Sequence, residues 1–484
     1  MIVLAFAFTQ IRGVQAVGSR PLRAVLLAAA VFLNILFVNA VVLSDFLPSR
    51  GVEIQDWRPI NSYRTYGTIT TFLRSIEYSS MKEPEGYSIA AVREITDKYS
   101  ENRDAEAAGV SSGLDPAVEP NIIIIVDEAF ADLRVLGDLE TSRDYMPVFN
   151  GLNDNTVKGY YYASTFGGGT ARTEFELLTS CTSAFLPVGA MPFETYIRSD
   201  LPALPSTLRD LGYSCCEAIH PKEAWNYNRI EAYPSLGFED YLSIEDLPDD
   251  MEKIHGQVSD QATYDYIIDM YEKADKDKPF FVYDLTMQNH SPYNKGDVFD
   301  DPVTITDDNY DPEAEEYLNL IHESDRALGN LIDYFSKDSR PTVILFMGDH
   351  QPRITDGFLS SVTDGKNSEW TEEDSLIRYK TPFLIWASYD IEEKDDEKVS
   401  ANYLQSMLFE TAGLRETDYQ RYLSRLRKQV PWINALGYMG SDGKYYKADD
   451  TASPYYESIN EYRMLQYNYL FGGKNRENDF FELK

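Results

Sequence analysis

Three glycines and a threonine, Gly167-Gly168-Gly169-Thr170, stand just ahead of a helix-like run from Glu174 to Thr179. A hydroxyl delivered by such a turn sits among the N–H groups of a helix N-terminus, where negative charge is favoured. Two other segments give it work. The apolar run Asn121 to Val126 reads as a buried strand and ends in Asp127-Glu128, and the run Thr342 to Met347 ends in Gly348-Asp349-His350. Ligands at the carboxyl ends of strands occupy the usual place of an α/β active site. A threonine hydroxyl is a poor nucleophile at neutral pH and needs a cation at its oxygen to lower its pKa. Glu128, Asp349 and His350 supply the cation site. Three oxygens, counting Thr170, and one imidazole suit Mn²⁺ or Mg²⁺ better than Zn²⁺. Adjacent strand residues face opposite ways, so Glu128 is the ligand and Asp127 is expected to bond nearby backbone. The combination reads as a metal-activated threonine acting on phosphorus.

With these motifs go Thr286-Met287-Gln288-Asn289-His290 and a His220 followed by Tyr227-Asn228-Arg229. Together, and in this order, they resemble the lipoteichoic acid synthases and related membrane phosphoglycerol transferases of the alkaline phosphatase and sulfatase superfamily. The likeness is strong over residues 119 to 390 and weak elsewhere. It implies one divalent cation held by Glu128, Thr170, Asp349 and His350, with Thr170 as the catalytic nucleophile. It implies a phosphoglycerol group held by His220, Tyr227, Arg229 and His290, with Trp225 as a further wall. The donor would be phosphatidylglycerol, and the acceptor a glycolipid, a polyglycerolphosphate chain or another glycan. Two departures are Asp127, where relatives carry an apolar residue, and Tyr227, where they often carry Trp.

The chain has 484 residues, 43% hydrophobic and 13% aromatic, enough for one large α/β core with appendages. Against 79 acidic residues stand 44 Lys and Arg, a net charge of -35. That balance excludes a nucleic-acid partner, which needs a basic footprint. It also requires tethering or a local basic pocket, with Arg172 and Arg229 as candidates, for work on anionic lipid. Cys181, Cys215 and Cys216 form no disulfide framework, although a bridge from Cys181 to one of the pair is open.

Ala24 to Leu43 is an uncharged stretch of about 20 residues preceded by Arg12, Arg20 and Arg23. It is expected to be a transmembrane helix with its N-terminal flank inside, which puts the catalytic domain outside the cell membrane. The expected organisation is a membrane anchor over 1–47, a juxtamembrane arm and linker over 48–118, a sulfatase-like catalytic domain over 119–400 and a C-terminal subdomain over 401–484. Within the catalytic part, strand-like runs alternate with helical ones at 259–273 and 313–335. This predicts an α/β fold of the alkaline phosphatase kind, a mainly parallel sheet between helical layers. Asp325 reads as a solvated helix face, and His255 and His322 as surface or satisfied structural histidines. Two rivals remain, an extracytoplasmic phosphodiesterase in which water resolves the intermediate, and a non-catalytic envelope scaffold. Sulfatase chemistry is disfavoured by Thr170 in place of cysteine, and a two-zinc phosphatase by a total of five histidines.

Overall fold

The computed structural model describes residues 20–42, 46–52, 59–78, 81–100, 114, 118–187 and 189–484. The chain divides into two compact units, 1–80 and 81–484. In the first, helix α1 (Arg20–Phe37) runs on into a π-helical turn, Val38–Val42, and helices α2 (Pro59–Tyr66) and α3 (Thr68–Tyr78) follow. Along α1 the large apolar side chains are exposed, among them Val25, Leu27, Phe32, Ile35 and Leu36. Asn34 and Asn39 each donate to the carbonyl four residues back, at 2.8 Å, which satisfies their amides within the helix. Among the described residues no helix is long and apolar enough to cross a membrane. The spanning helix expected over 24–43 is therefore corrected. The regular helix starts earlier, taking in Arg20, Pro21 and Arg23, and gives way to π geometry after Phe37. Residues 1–19, which include Arg12, and, within the expected arm and linker, 53–58, 79–80, 101–113 and 115–117 lie outside the described residues.

The second unit begins with α4 (Ile89–Ser100) and is built on one eight-stranded sheet. Its strands are β1 (Asn121–Asp127), β2 (Thr156–Tyr162), β3 (Ser214–Ile219), β4 (Asp240–Leu242), β7 (Phe280–Leu285), β8 (Thr342–Gly348), β9 (Lys380–Ala387) and β10 (Lys394–Val399). A small hairpin, β5 (Lys253–Ile254) and β6 (Gln257–Val258), lies outside it. The sheet order is β10-β2-β9-β8-β1-β7-β3-β4. Every pairing is parallel except those of β9, which runs against both neighbours.

Strand β1 is buried on both faces, as the central strand of a covered sheet must be. Ile122, Ile124 and Val126 enter a core shared with Phe175 and Leu178 of α5 (Thr170–Thr179) and Leu404 and Leu408 of α9 (Ala401–Ala412). Ile123 and Ile125 enter the opposite core with Tyr264 and Ile267 of α7 (Asp260–Lys273) and Leu328 and Leu331 of α8 (Pro312–Lys337). Between α5 and α7 in the chain comes α6 (Arg229–Leu236). Helix α7 starts where Ser259 accepts from the Ala262 amide, and α8 where Asp311 accepts from Glu313 and Ala314 ahead of a Pro at the first position. Residues beyond 400 share the first core, through Tyr403, Tyr422 and Tyr462. All three cysteines are free thiols.

Gly348 closes β8 against the backbone that follows β1. A methyl group there would lie 1.9 Å from the Phe130 carbonyl oxygen and 2.9 Å from Thr381 Cγ2. Gly348→Ala is therefore expected to destabilise the fold by about 2 kcal/mol or more, read from the denaturant midpoint. An unchanged midpoint would show that this strand end tolerates movement.

Candidate active site

The parallel strands end level with one another. Val126 of β1 pairs with Leu285 of β7 and Met347 of β8, and Ile219 of β3 pairs with Asp284. The next residues along, Glu128, Thr286, Asp349 and His220, are thereby collected at one end of the sheet.

Asp349 is fully buried. Its Oδ1 accepts from the Ala129 and His350 amides, both at 2.8 Å, and its Oδ2 has no hydrogen-bond partner. His350 Nδ1 lies 3.0 Å from the Gln351 carbonyl, which assigns the ring proton to Nδ1. The bare Nε2, also without a partner, then faces Asp349 Oδ2 at 3.1 Å and Glu128 Oε1 at 3.9 Å. The Glu128 amide donates to Thr286 Oγ1 at 3.1 Å. One ligand atom from each of Glu128, Asp349 and His350 lies within 4.8 Å of the others. Burial first, and the Asp349 charge next, push the Glu128 carboxyl above the ordinary range. A divalent cation at this point would satisfy the two orphaned atoms and remove the repulsion, so the residues fit it.

Thr170 is the first residue of α5 and is 7% exposed. Gly169 before it has φ 87° and no side chain caps the helix, which leaves this end suited to an anion. A Cβ on Gly169 would lie 2.7 Å from Thr165 Oγ1, and one on Gly167 would lie 2.8 Å from Arg353 Cβ. The turn is tied to the ligand segment on both sides of Thr170. Gly167 N donates to the Gln351 carbonyl at 2.9 Å, and Thr173 Oγ1 donates to the Asp349 carbonyl at 2.7 Å. Tyr161 OH bonds the carbonyls of Gly348 and Asp349 at 2.6 and 2.8 Å.

The expected phosphoglycerol residues divide. His220 is buried, and its Nδ1 lies 2.8 Å from the Leu285 carbonyl. Burial, then the Arg229 charge, hold its pKa well below the ordinary value. It is thus neutral with a bare Nε2, suited to accept a hydroxyl hydrogen instead of donating to phosphate. Arg229 is not an open fork. Its Nη2 and Nε donate to Glu174 Oε1 at 2.5 and 3.1 Å in a fully buried ion pair, and Tyr233 OH also bonds Glu174. The Tyr227 ring centre lies 5.1 Å from the guanidinium carbon. His290 and Trp225 are exposed, and Arg172 donates through Nε to the Ala190 carbonyl at 3.1 Å.

Three structural expectations change. Asp127 bonds side chains instead of backbone, accepting from Tyr264 OH at 3.0 Å and Asn289 Nδ2 at 2.8 Å, because its face of β1 is packed against α7. Asp325 is buried, not solvated, and accepts from the Val148 and Phe149 amides at 2.7 and 2.8 Å. His255 is fully buried beside two carboxylates, while His322 is half-buried with Nδ1 3.3 Å from the Tyr145 carbonyl. Glu174, Tyr161, Thr173 and Thr286 were not singled out as site residues. Two of them had a sequence signal, Glu174 one helical turn beyond Thr170 and Thr286 at the head of the Thr286-Met287-Gln288-Asn289-His290 motif.

The arrangement is an alkaline-phosphatase-like α/β fold whose strand ends carry three side chains that could hold a cation, with a helix-terminal threonine in the turn tied to them. A family model described as Sulfatase matches residues 120–414, more than half of the chain, which belongs to that family. A Rhizobium meliloti (strain 1021) protein assigned to cyclic beta-1,2-glucan modification is 27% identical over 437 residues, 88% of this chain and 65% of that protein. The capsular polysaccharide biosynthesis protein RkpI from the same organism is 28% identical over 248 residues, 49% of this chain and 42% of that protein. The chain thus spans less than two thirds of these curated relatives. Among solved structures, the fold is similar to that of Streptococcus pyogenes phosphoglycerol transferase GacH in complex with sn-glycerol-1-phosphate, with TM-score 0.67, 20% identity, 84% of this chain and 100% of that one. It is also similar to that of lipoteichoic acid synthase LtaP from Listeria monocytogenes, with TM-score 0.55, 20% identity, 78% of this chain and 97% of that one.

Two outcomes follow from the electrostatics. Glu174→Gln is expected to cost about 3 kcal/mol, since it strands a buried guanidinium, and adding Arg229→Met should recover part of the loss. Chemical denaturation of the single and double variants measures both, and additive losses would show that the pair does not act as one unit. Binding a cation requires the raised Glu128 carboxyl to lose its proton. Affinity should therefore increase from about pH 5 to about pH 8, with protons released on binding. Calorimetry in buffers of differing ionisation enthalpy reads this, and proton-neutral binding would contradict a protonated Glu128.

Proposed function

We propose that this chain is a divalent-cation-dependent phosphoglycerol transferase of the cell envelope, taking glycerol phosphate from phosphatidylglycerol. The observation that carries the reading is the convergence of Glu128, Asp349 Oδ2 and His350 Nε2 in a segment stitched to the turn that bears Thr170. Glu128, Asp349, His350 and the Thr170 hydroxyl hold the cation, Mn²⁺ or Mg²⁺. When bound, it lowers the pKa of a hydroxyl and offsets phosphoryl charge.

The Thr170 hydroxyl gives up its proton as its oxygen attacks phosphorus, a proton that balances the one taken by the leaving oxygen, while the N-terminus of α5 receives the charge that gathers on the phosphoryl oxygens. The bond from phosphorus to the diacylglycerol oxygen breaks, and that oxygen takes a proton and leaves as diacylglycerol. An acceptor hydroxyl then attacks the glycerophospho-threonine, giving its proton to a base and restoring the Thr170 hydroxyl. The neutral His220, with its Nε2 lone pair, is suited to orient a hydroxyl of the glycerol or the acceptor. Arg229, fixed by Glu174, contributes charge close to the cation group, and Tyr227 and His290 line the approach for glycerol. The acceptor is an envelope glycan, a choice supported by the glucan and capsular assignments of the two Rhizobium meliloti relatives. A location at the membrane is supported by the exposed apolar side chains of α1, which call for apolar surroundings.

The test incubates the whole chain in phosphatidylglycerol vesicles with Mn²⁺ and a glucan acceptor, followed by product analysis. Glycerophosphate on the glucan is expected. Release of free glycerol phosphate alone would replace transfer with hydrolysis, and no turnover in any arm would leave a binding scaffold. Thr170→Ala is expected to lower kcat/KM at least about 1,000-fold with the fold intact, with part of the rate kept by Thr170→Ser. Chelation should abolish activity and Mn²⁺ restore it.

A further inference from the structure

A second group of titratable side chains lies apart from Thr170 and the Glu128 cluster. His255 is at the turn between β5 and β6, Asp297 is in the loop after His290, and Glu316 is near the start of α8. Each offers one ligand atom within 4.8 Å of the others. His255 Nδ1 contacts Asp297 Oδ2 and lies 3.4 Å from Glu316 Oε1. Its ring is fully buried, and its other nitrogen, Nε2, has no hydrogen-bond partner.

We propose that His255 Nδ1, Asp297 and Glu316 form a second divalent-cation site, separate from the candidate active site, which fastens the loop carrying His290 to the β5–β6 hairpin and α8.

The balance of charge favours it. Two carboxylates converge on one imidazole nitrogen, and the proton of a neutral ring on Nδ1 bridges to one oxygen without offsetting either charge. A divalent cation takes all three atoms together and balances both charges. The nearby Lys295 ammonium does not fill that place, because it donates to the His255 carbonyl. Glu316 is also held as metal ligands commonly are, with its carboxylate oriented by outer hydrogen bonds. Its Oε1 accepts from the Lys295 amide at 3.0 Å and its Oε2 from the Gly296 amide at 2.8 Å. Asp297, with its side chain 26% exposed, provides the way in. The donor set, one imidazole nitrogen and two carboxylate oxygens, matches that of Glu128, Asp349 and His350, with Nδ1 in place of Nε2. Tyr293 joins the group to the loop. It stacks on the His255 ring with centres 6.2 Å apart and meets Tyr317 of α8 edge-on at 5.1 Å.

The inference is independent of the transferase reading, and its test reads metal content, not turnover. The whole chain is dialysed to equilibrium against Mn²⁺, and in a parallel arm against Zn²⁺, and the bound metal is counted by inductively coupled plasma mass spectrometry. Two equivalents are expected in at least one arm. Glu316→Gln and His255→Ala should each lose one, Glu128→Ala should lose the other, and the Glu128→Ala/Glu316→Gln double variant should bind none. Circular dichroism checks folding, and Asp297→Asn, in a part-exposed loop, replaces His255→Ala if that variant does not fold. Metal counts unchanged by Glu316→Gln and by the His255 or Asp297 variant, in both arms, overturn the proposal. So does a single equivalent that only Glu128→Ala removes.

Discussion

The site depends on how the Asp349 carboxylate is divided. One oxygen is tied to two main-chain amides, those of Ala129 and His350, and the other is left bare in a buried position. The first oxygen makes the carboxylate part of the backbone scaffold, because Ala129 follows directly on Glu128. The second makes it a ligand in need of positive charge. The same residue is gripped through its carbonyl by Tyr161 and Thr173, so the ends of β1 and β8 and the first turn of α5 meet at one amino acid. Such convergence limits the relative freedom of the three segments that carry Glu128, Asp349 and Thr170.

Around that junction, the positive charge of Arg229 is set down in an environment where it cannot be hydrated. Glu174 answers it with two contacts, and Tyr233 adds a third group to the same carboxylate. Because Glu174 lies one turn beyond Thr170, helix α5 presents the Thr170 hydroxyl at its first residue and a clamp for a guanidinium at its fifth. The pair is costly to desolvate, and what it supplies is a fixed direction. Arg229 then biases its surroundings, lowering the pKa of His220 and opposing the rise at Glu128. The His220 imidazole is thereby kept neutral by its burial first and then by the same charge that opposes the rise at Glu128.

Much of the central frame was legible in the sequence because its signals are local. The runs at 121–126 and 342–347 are apolar without alternation, which marks strands covered on both faces, and the glycines before Thr170 announce a turn that only they can make. Helices at 259–273 and 313–335 had caps and periodicity. What could not be read were pairings across long stretches of chain. Strand β9 looks like its neighbours by composition, yet its direction is antiparallel, and direction is set by connections, not by residue type. Asp325 reads as solvated because a lone aspartate on a helix is ordinarily exposed, whereas the amides of Val148 and Phe149, far away in sequence, fix it in the interior. The Arg229 side chain had the chemistry of a phosphate fork, and only the fold reveals that Glu174 occupies it. At the N-terminus the hydropathy of 24–43 spoke for one straight spanning helix, while the chain includes two arginines in the helical segment and changes its winding after Phe37.

The stretch from Thr286 to Asp297 shows how burial and exposure are reconciled within a dozen residues. Thr286 accepts the Glu128 amide, and Asn289 reaches Asp127 and Ser324. Gln288 reaches the Leu320 carbonyl, so the first half of the stretch is pinned beneath the site. Tyr293 and Asp297 pin the second half against His255. Between the two anchorages His290 emerges to solvent with its Nδ1 held 2.8 Å from the Ser291 carbonyl. A ligand-facing side chain on a free loop would lose much of its contact energy to ordering the loop. Here the ordering is met in advance by buried groups on either side, and the imidazole between them keeps its exposure to solvent.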